Sequence, residues 1–187
     1  MKARANIGVF GAIALSLAVL AGGAPARADS LEYPVKAAFL YKFAPFVEWP
    51  ATAWGSATSP LTLCVVGDDP FGVLLDRTIQ GQHLGAHPIV VHRLDRLAAD
   101  SGCGIAYVGG SKTQSVAEAL DAVQGTPVLT VTDEAEGPAH GIIHFVVRAN
   151  RVRFVIDDAA AAKNGMTISS KLMRLALSVH LRNGGRL

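Results

Sequence analysis

Residues 61–70 read LTLCVVGDDP, a continuous apolar run that ends in a turn. The run does not alternate strictly between polar and apolar side chains, so a strand here should be covered on both faces rather than on one. The residues Gly-Asp-Asp-Pro that follow it are of the types that end strands and form turns. This stretch therefore predicts a strand of a mostly parallel sheet.

Strands and helices alternate in the segments that follow. The predicted elements are a helix over 71–79, strands over 89–92 and 105–108, a helix over 112–123 and a strand over 127–131. Alternation of this kind is typical of an α/β fold in which helices cover both faces of a mostly parallel sheet.

Upstream of the first strand, Tyr33–Ala44 has apolar residues at three- and four-residue steps, which predicts a helix. Pro34 suits its first turn, and Pro45 should end it. The opposite side, with Leu40 and Tyr41, is also apolar. We therefore expect this helix to be largely buried or to contact a partner.

The pattern changes near residue 141. Two strands, Ile142–Val147 and Val152–Ile156, flank residues 148–151 and predict an antiparallel hairpin with apolar and basic faces. Residues 182–187 are expected to fray. A closing helix is predicted from Ser170 to Leu181, with one apolar side made of Leu172, Leu175, Ala176 and Val179.

The beginning of the chain has the three parts of a secretory signal peptide. Lys2 and Arg4 precede an uncharged run over residues 7–20, and Ala26-Arg27-Ala28 has the small-x-small pattern read by signal peptidase. The run of 14 residues is shorter than the roughly 20 that span a membrane, so an uncleaved anchor is the less favoured alternative. We predict cleavage between Ala28 and Asp29, a periplasmic location, and one mature domain over residues 29–187.

Removal of residues 1–28 changes the net charge. The chain has 17 basic and 15 acidic side chains, and the removed segment holds three of the basic ones, so the mature form has a net charge of −1. This balance lacks the basic excess expected of a nucleic-acid-binding protein. No later segment is long and apolar enough to cross a membrane, so the mature protein is not predicted to be membrane-inserted.

The two cysteines, Cys64 and Cys103, form an even pair in an oxidising compartment, which favours a disulfide. Closing the loop between them would stabilise the fold by up to about 4 kcal/mol in the chain-entropy model. Two buried thiols are the alternative. A catalytic thiol is less favoured, because neither cysteine belongs to a C-x-x-C pair.

Only a few positions suggest other chemistry. Gly110 and Ser111 follow a predicted strand and precede a predicted helix, where backbone N–H groups can bind an anion or nucleotide. Ser111 as an ordinary helix N-cap is the favoured interpretation. His140 and His144 are four residues apart, but this spacing in a loop and strand should not bring their rings together.

Asp68 and Asp69 follow the first strand, where α/β sheets often bind ligands, but aspartate also suits a turn. No metal site, cofactor or catalytic set is predicted. The sequence therefore points to a binding or regulatory protein rather than an enzyme.

Six blocks of the sequence resemble the YfiR-like family of periplasmic regulators, and together they cover nearly all of residues 33–179. The first and last blocks are the most specific. The blocks are VKAAFLYKFAPFVEWP (35–50), LTLCVVGDDPFG (61–72), CGIAYVGGS (103–111), PVLTVTDEAEG (127–137), GIIHFVVRANRVRFVID (141–157) and MTISSKLMRLALSV (166–179).

The resemblance implies a homodimer that binds the periplasmic region of an inner-membrane diguanylate cyclase. Binding would repress the enzyme, so that cyclic-di-GMP and biofilm formation stay low. The resemblance also implies an OmpA-like outer-membrane lipoprotein that sequesters the repressor. Cys64 and Cys103 match the central cysteine pair of the family, and the second pair of some relatives has no counterpart in this chain.

Two classes of function follow. The favoured one is a protein-binding repressor, and the alternative is a periplasmic sensor that binds a nucleotide or aromatic ligand. For partner binding we favour the hairpin and the final helix, where Arg151, Arg153, Lys171 and Arg174 lie near apolar residues. The alternative for these four residues is an ordinary solvated face.

Overall fold

A computed structural model describes residues 29–186 of the chain. The predicted signal peptide lies outside these residues, so cleavage after Ala28 stays a prediction. The helices are α1 Asp29–Lys42, α2 Val73–Ile79, α3 Val116–Ala122, α4 Asp158–Lys163 and α5 Ser170–Met173. The strands are β1 Val47–Glu48, β2 Leu61–Gly67, β3 His83–Leu84, β4 His87–Leu94, β5 Ile105–Gly110, β6 Leu129–Asp133, β7 Ile143–Arg148, β8 Arg151–Asp157, β9 Thr167–Ile168 and β10 Val179–His180.

Eight strands form one sheet in the order β10-β8-β7-β6-β5-β2-β4-β3. The pairs from β4 through β2, β5 and β6 to β7 are parallel, and so is β8 with β10. The β7–β8 and β3–β4 pairs are antiparallel, and β1 and β9 form a separate two-stranded sheet. The predicted fold class is confirmed: a mostly parallel sheet flanked by helices, with a C-terminal hairpin and a closing helix.

Both faces of β2 are buried, which explains its continuous apolar sequence. Leu63 and Val65 pack in the core layer that contains α1 and α2. Cys64 and Val66 point to the opposite layer, which contains α3. Alternate residues of one strand therefore belong to two separate hydrophobic layers.

The hairpin positions α1 at one end of the sheet. Phe39 of α1 and Phe43, which follows α1 directly, pack on Phe145 and Phe154, with ring centroids 5.2–6.2 Å apart. Aromatic contacts at this spacing add to the stabilisation from burial itself. The faces of β8 alternate as predicted, because Phe154 is buried while its neighbour Arg153 is exposed.

Two helix starts differ from the predictions. α1 begins at Asp29, so Pro34 lies inside the helix and not in its first turn. α3 begins at Val116, several residues later than predicted. Ser115 caps this helix, since its hydroxyl accepts from the Glu118 backbone N–H while the Glu118 side chain accepts from the Ser115 backbone. This capping box specifies the later start.

The predicted closing helix is much too long. α5 ends at Met173, and the chain then runs beside β8, where Leu177 N–H donates to Phe154 O at 2.8 Å. Pairing with the sheet edge thus replaces the helix that the apolar spacing predicted. Leu175 is exposed, so the predicted one-sided apolar stack does not form. The segment after the closing helix was expected to fray from residue 182. Arg182 is instead held by an ion pair with Asp158 at 2.8 Å.

Candidate functional site

The predicted disulfide is present. Cys64 lies in β2, and Cys103 lies two residues before the parallel neighbour β5, with a Cα–Cα distance of 5.8 Å. Both side chains are buried in the α3 layer. The bridge therefore joins the central strand to the loop that leads into the next strand of the sheet.

Gly110 is the last residue of β5 and Ser111 follows it directly, so neither lies at a helix start. The Ser111 hydroxyl accepts from the backbone N–H groups of Thr113 and Gln114 at 3.2 and 3.1 Å. The buried Gln114 side chain bonds both backbone groups of Leu97, at 2.7 and 2.9 Å. Ser111 is thus not the N-cap of α3, and the helix-terminus argument for an anion site at Gly110 and Ser111 does not apply. Ligand binding there stays an untested prediction.

The expectation that His140 and His144 stay apart is wrong. Their rings are stacked with centroids 3.8 Å apart, because the loop before β7 brings His140 back over His144. His144 is buried, and its Nδ1 lies 2.8 Å from the Thr132 hydroxyl. Burial and the neighbouring His140 lower the pKa of His144 to about 4. Among residues 29–186, no group of three or more His, Cys, Asp or Glu side chains is placed to hold a metal ion.

A buried ion cluster joins α1 to the end of β6. The fully buried Lys36 ammonium is ion-paired with Glu32 of α1 and with the buried Asp133. Burial by itself would lower the pKa of Lys36, but the hydrogen bonds to Asp133 and Glu32 outweigh it and raise the pKa. Two sequence signals for this cluster were missed: a lysine among the apolar residues of the helix, and a glutamate four residues before it.

The surroundings of this cluster are acidic and partly buried. Tyr107 of β5 is fully buried, and its hydroxyl has no hydrogen-bond partner among the described residues. Burial, together with the negative charges of Asp133 and Glu136, raises the pKa of Tyr107. Burial and the nearby Asp133 also raise the pKa of Glu136. The cluster anchors α1, but its groups are not arranged as an acid–base pair around an open site.

An aromatic cavity of about 260 Å³ lies at the opposite end of the central strands from this cluster, beside the amino ends of β2, β5 and β6. Trp49 and Trp54 line it, with ring centroids 5.9 Å apart, and so does Cys103 of the disulfide. Trp54 also stacks on His87 at 4.1 Å. The buried Trp49 Nε1 has no hydrogen-bond partner in the described part of the chain, so a donor is left unsatisfied at this cavity.

The four basic residues predicted to bind a partner lie at the β8–β10 end of the sheet. Arg151 and Arg153 are on β8, Lys171 is on α5, and Arg174 follows α5 directly. All four are exposed, and within residues 29–186 none of them forms an ion pair.

The edge of the sheet brings the two pairs of basic residues to the same end of the molecule. The Leu177–Phe154 hydrogen bond holds the segment after α5 beside β8, at the spacing of neighbouring strands. Leu175 and Leu177 of this segment are 59% and 48% exposed. The basic–apolar surface is hereafter the set Arg151, Arg153, Lys171, Arg174, Leu175 and Leu177, which share this end of the sheet.

Arg148 differs from these residues because it has an acidic partner. It lies opposite Arg151 in the hairpin, where two like charges would repel each other. Glu134 relieves this repulsion through an ion pair to Arg148 at 2.8 Å. The backbone N–H of Val147 and the Arg148 guanidinium together lower the pKa of Glu134. The basic character of the hairpin is thus concentrated on Arg151 and Arg153.

In the described part of the chain, no helix has the length and apolar character needed to cross a membrane. A search of curated proteins found no significant match. A family model described as DUF4154, YfiR/HmsC-like, matches residues 33–177, which include the sheet from β2 to β8, the disulfide and the whole basic–apolar surface. The chain belongs to the YfiR/HmsC-like family.

Proposed function

We propose that the exported domain is a periplasmic regulator that binds the periplasmic region of an inner-membrane diguanylate cyclase and represses it. Lower cyclic-di-GMP and less biofilm are the expected consequences. The observation that carries this proposal is the family match over residues 33–177. The domain acts by binding alone and is not an enzyme in this proposal. It forms a homodimer, and an OmpA-like outer-membrane lipoprotein relieves the repression by sequestering it.

The basic–apolar surface is the proposed contact with the cyclase. Exposed arginines without acidic partners are available for charge-assisted hydrogen bonds to a partner. Leu175 and Leu177 add apolar area that a partner would remove from water. Arginines beside apolar residues are frequent anchors of protein interfaces.

The test is deletion of the gene followed by measurement of cellular cyclic-di-GMP. We expect the level to rise, and to return to normal when the intact gene is restored. Restoration with Arg153→Glu/Arg174→Glu should leave the level high. Restoration with Lys112→Glu, an exposed residue outside the surface, should lower it again.

A cyclase recovered from periplasmic extracts with the intact protein, but not with Arg153→Glu/Arg174→Glu, would identify the target. An unchanged cyclic-di-GMP level in the deletion strain, together with no co-purifying cyclase, would refute the repressor function.

The aromatic cavity favours a second candidate function, a periplasmic sensor of a small aromatic or nucleotide ligand. A planar ligand with a hydrogen-bond acceptor could stack on Trp54 and accept from Trp49 Nε1. Titration of tryptophan fluorescence with GMP and with free aromatic amino acids tests this candidate. Saturable quenching that Trp49→Phe weakens would support it, whereas no response to any of these compounds would count against it.

A further inference from the structure

The outer edge of β4 is unpaired over most of its length. β3 covers only the first residues of β4, where Ile89 N–H donates to Gln82 O at 2.9 Å. Backbone groups of alternate residues in a strand point to the same side, so those of Val91 and Arg93 also point away from β2. Within residues 29–186 these outward groups have no hydrogen-bond partner. Residues 90–94 therefore form a free strand edge.

This edge lacks the features that normally protect edge strands. Proteins keep strand edges apart with prolines, bulges or charged side chains that project from them. Residues 90–94 contain no proline, and their register with β2 runs without a shift. Arg93 turns back towards α2, where it is ion-paired with Asp69 and Asp76 at 2.8 and 2.7 Å. Its charge is therefore not available to repel a second strand.

We propose that β4 pairs in antiparallel orientation with β4 of a second copy, which joins the two eight-stranded sheets into one. The proposal rests on the homodimer of the proposed function and names its interface. A two-fold axis beside His92 sets Val91 of each copy opposite Arg93 of the other, so that their backbones exchange both hydrogen bonds. Val90 then lies opposite Leu94 of the second copy, and these partly exposed apolar side chains pack on each other.

Only this register fits the free edge. In an antiparallel pair, the residues whose backbone groups point out of both strands must face each other. A shift that sets Val91 opposite Val91 places Arg93 against Ile89, where β3 already occupies the edge. The opposite shift sets Arg93 opposite Arg93, and these like charges repel each other. The edge is thus self-complementary in one register, which favours a second copy over an unrelated strand.

The charges beside the edge are complementary in the same register. Asp69 and Asp76 both pair with Arg93, so this group carries an excess of one negative charge. Arg77 of α2 is exposed, forms no ion pair among residues 29–186, and lines a groove of about 350 Å³ together with Val91. Because Val91 is opposite Arg93 of the second copy, each Arg77 comes next to the acidic group of the other copy. This complementarity fixes the register and attracts the two copies to each other.

Sedimentation velocity over a range of concentrations tests the interface on the exported protein, after mass spectrometry has confirmed its N-terminus. The paired edges are smaller than the roughly 800 Å² per partner of standard interfaces, so we expect a dissociation constant on the order of 10 μM. Val91→Pro removes an outward N–H and leaves the ladder to β2 intact, so it should weaken the dimer about tenfold or more. Arg77→Glu should weaken it about fivefold, whereas Lys163→Glu, a matched change in the last turn of α4, should leave it unchanged. Urea midpoints confirm that each variant is folded.

Disulfide trapping identifies the register. The double variant Val90→Cys/Leu94→Cys sets each new thiol opposite one of the second copy, with Cα atoms about 4.5 Å apart, which is within bridging range. Mild oxidation should give a covalent dimer that reductant separates. Neither single variant should cross-link, because the two copies of the same position are about 13 Å apart along the paired strands.

Three results would each overturn the edge interface: a monomer at every concentration, a dimer that neither Val91→Pro nor Arg77→Glu weakens, or a double variant that forms no covalent dimer. The first result leaves the edge to a strand from a different protein and also removes the homodimer from the proposed function. The second and third place the homodimer on another surface. Repression is decided separately, by the cyclic-di-GMP level of the deletion strain.

Discussion

The buried Lys36–Asp133 pair gives the sharpest test of the structural reasoning. We consider Lys36→Met, which keeps most of the apolar stem of the side chain and removes the ammonium group. Lys36 is fully buried, and Asp133 is 1% exposed. The Asp133 Oδ1 accepts a hydrogen bond from Ala135 N–H at 3.2 Å, and the Oδ2 faces the Lys36 ammonium. Without Lys36, a carboxylate remains buried with one oxygen unpaired.

Breaking a buried pair by removing one partner costs about 3–5 kcal/mol, because the remaining charge is uncompensated. We expect Lys36→Met to lower the free energy of unfolding by this amount. Asp133→Asn keeps the acceptor for Ala135 and removes the stranded charge. The double variant Lys36→Met/Asp133→Asn should therefore be more stable than Lys36→Met alone, by about 1–3 kcal/mol.

Urea unfolding followed by circular dichroism measures these differences. Lys42→Met is the matched control, because Lys42 ends the same helix and is exposed, and we expect its effect to stay within about 0.5 kcal/mol. A loss below about 1 kcal/mol for Lys36→Met would refute the assignment of a buried charge pair. So would a double variant no more stable than Lys36→Met.

Four further outcomes are expected. Mass spectrometry of the exported protein should find Asp29 as its first residue, and an intact Met1 in the membrane fraction would contradict this. Cys64→Ser should cost about 2–4 kcal/mol of unfolding free energy, and thiol labelling of the oxidised protein without reductant should find no free cysteine. His144 has a folded pKa of about 4, below the unfolded value near 6.5, so its neutral form favours the fold. Its contribution is complete above pH 6.5 and is lost as the pH falls towards 4, by up to about 3 kcal/mol, and a His144→Gln variant should show a shallower pH dependence of urea stability. Ala149→Gly should stabilise the protein by about 0.5–1 kcal/mol, because Ala149 has a φ of 50° that glycine adopts without strain, and an unchanged urea midpoint would argue against a strained turn.

Elements whose signals are local were predicted well. β2 is recognisable because burial of both faces requires a continuous apolar run, and the β7–β8 hairpin because its inward and outward residues alternate. The ends of helices were predicted poorly. Ser111 and Ser115 are both plausible N-caps, because Gln114 and Glu118 follow them at the three-residue spacing of a capping box. Only the tertiary structure decides between them: Gln114 bonds the backbone of Leu97, whereas Glu118 completes the box with Ser115.

The prediction of the closing helix was wrong for a different reason. Residues 170–181 carry a helical spacing of apolar side chains, but residues 177–180 also lie within reach of an unpaired edge of β8. The edge has backbone groups that need partners, and pairing with them overrides the high helix propensity of the leucine, lysine, methionine and arginine residues in this segment. The sequence of the segment contains no information about a neighbouring strand edge.

By itself, the sequence determined the order of the main elements, the hairpin and the pairing of Cys64 with Cys103, because these depend on short-range patterns and on a count of two cysteines. It did not predict α4 or the short strands β1, β3, β9 and β10. Only the tertiary structure decided that Lys36 is buried, that His140 stacks on His144, and that basic residues of β8 and α5 share one end of the sheet. The physical reason is that burial and charge proximity arise from strand pairing between distant segments. A parallel sheet makes most of its contacts between residues that are far apart in the chain, and no local sequence pattern predicts these contacts.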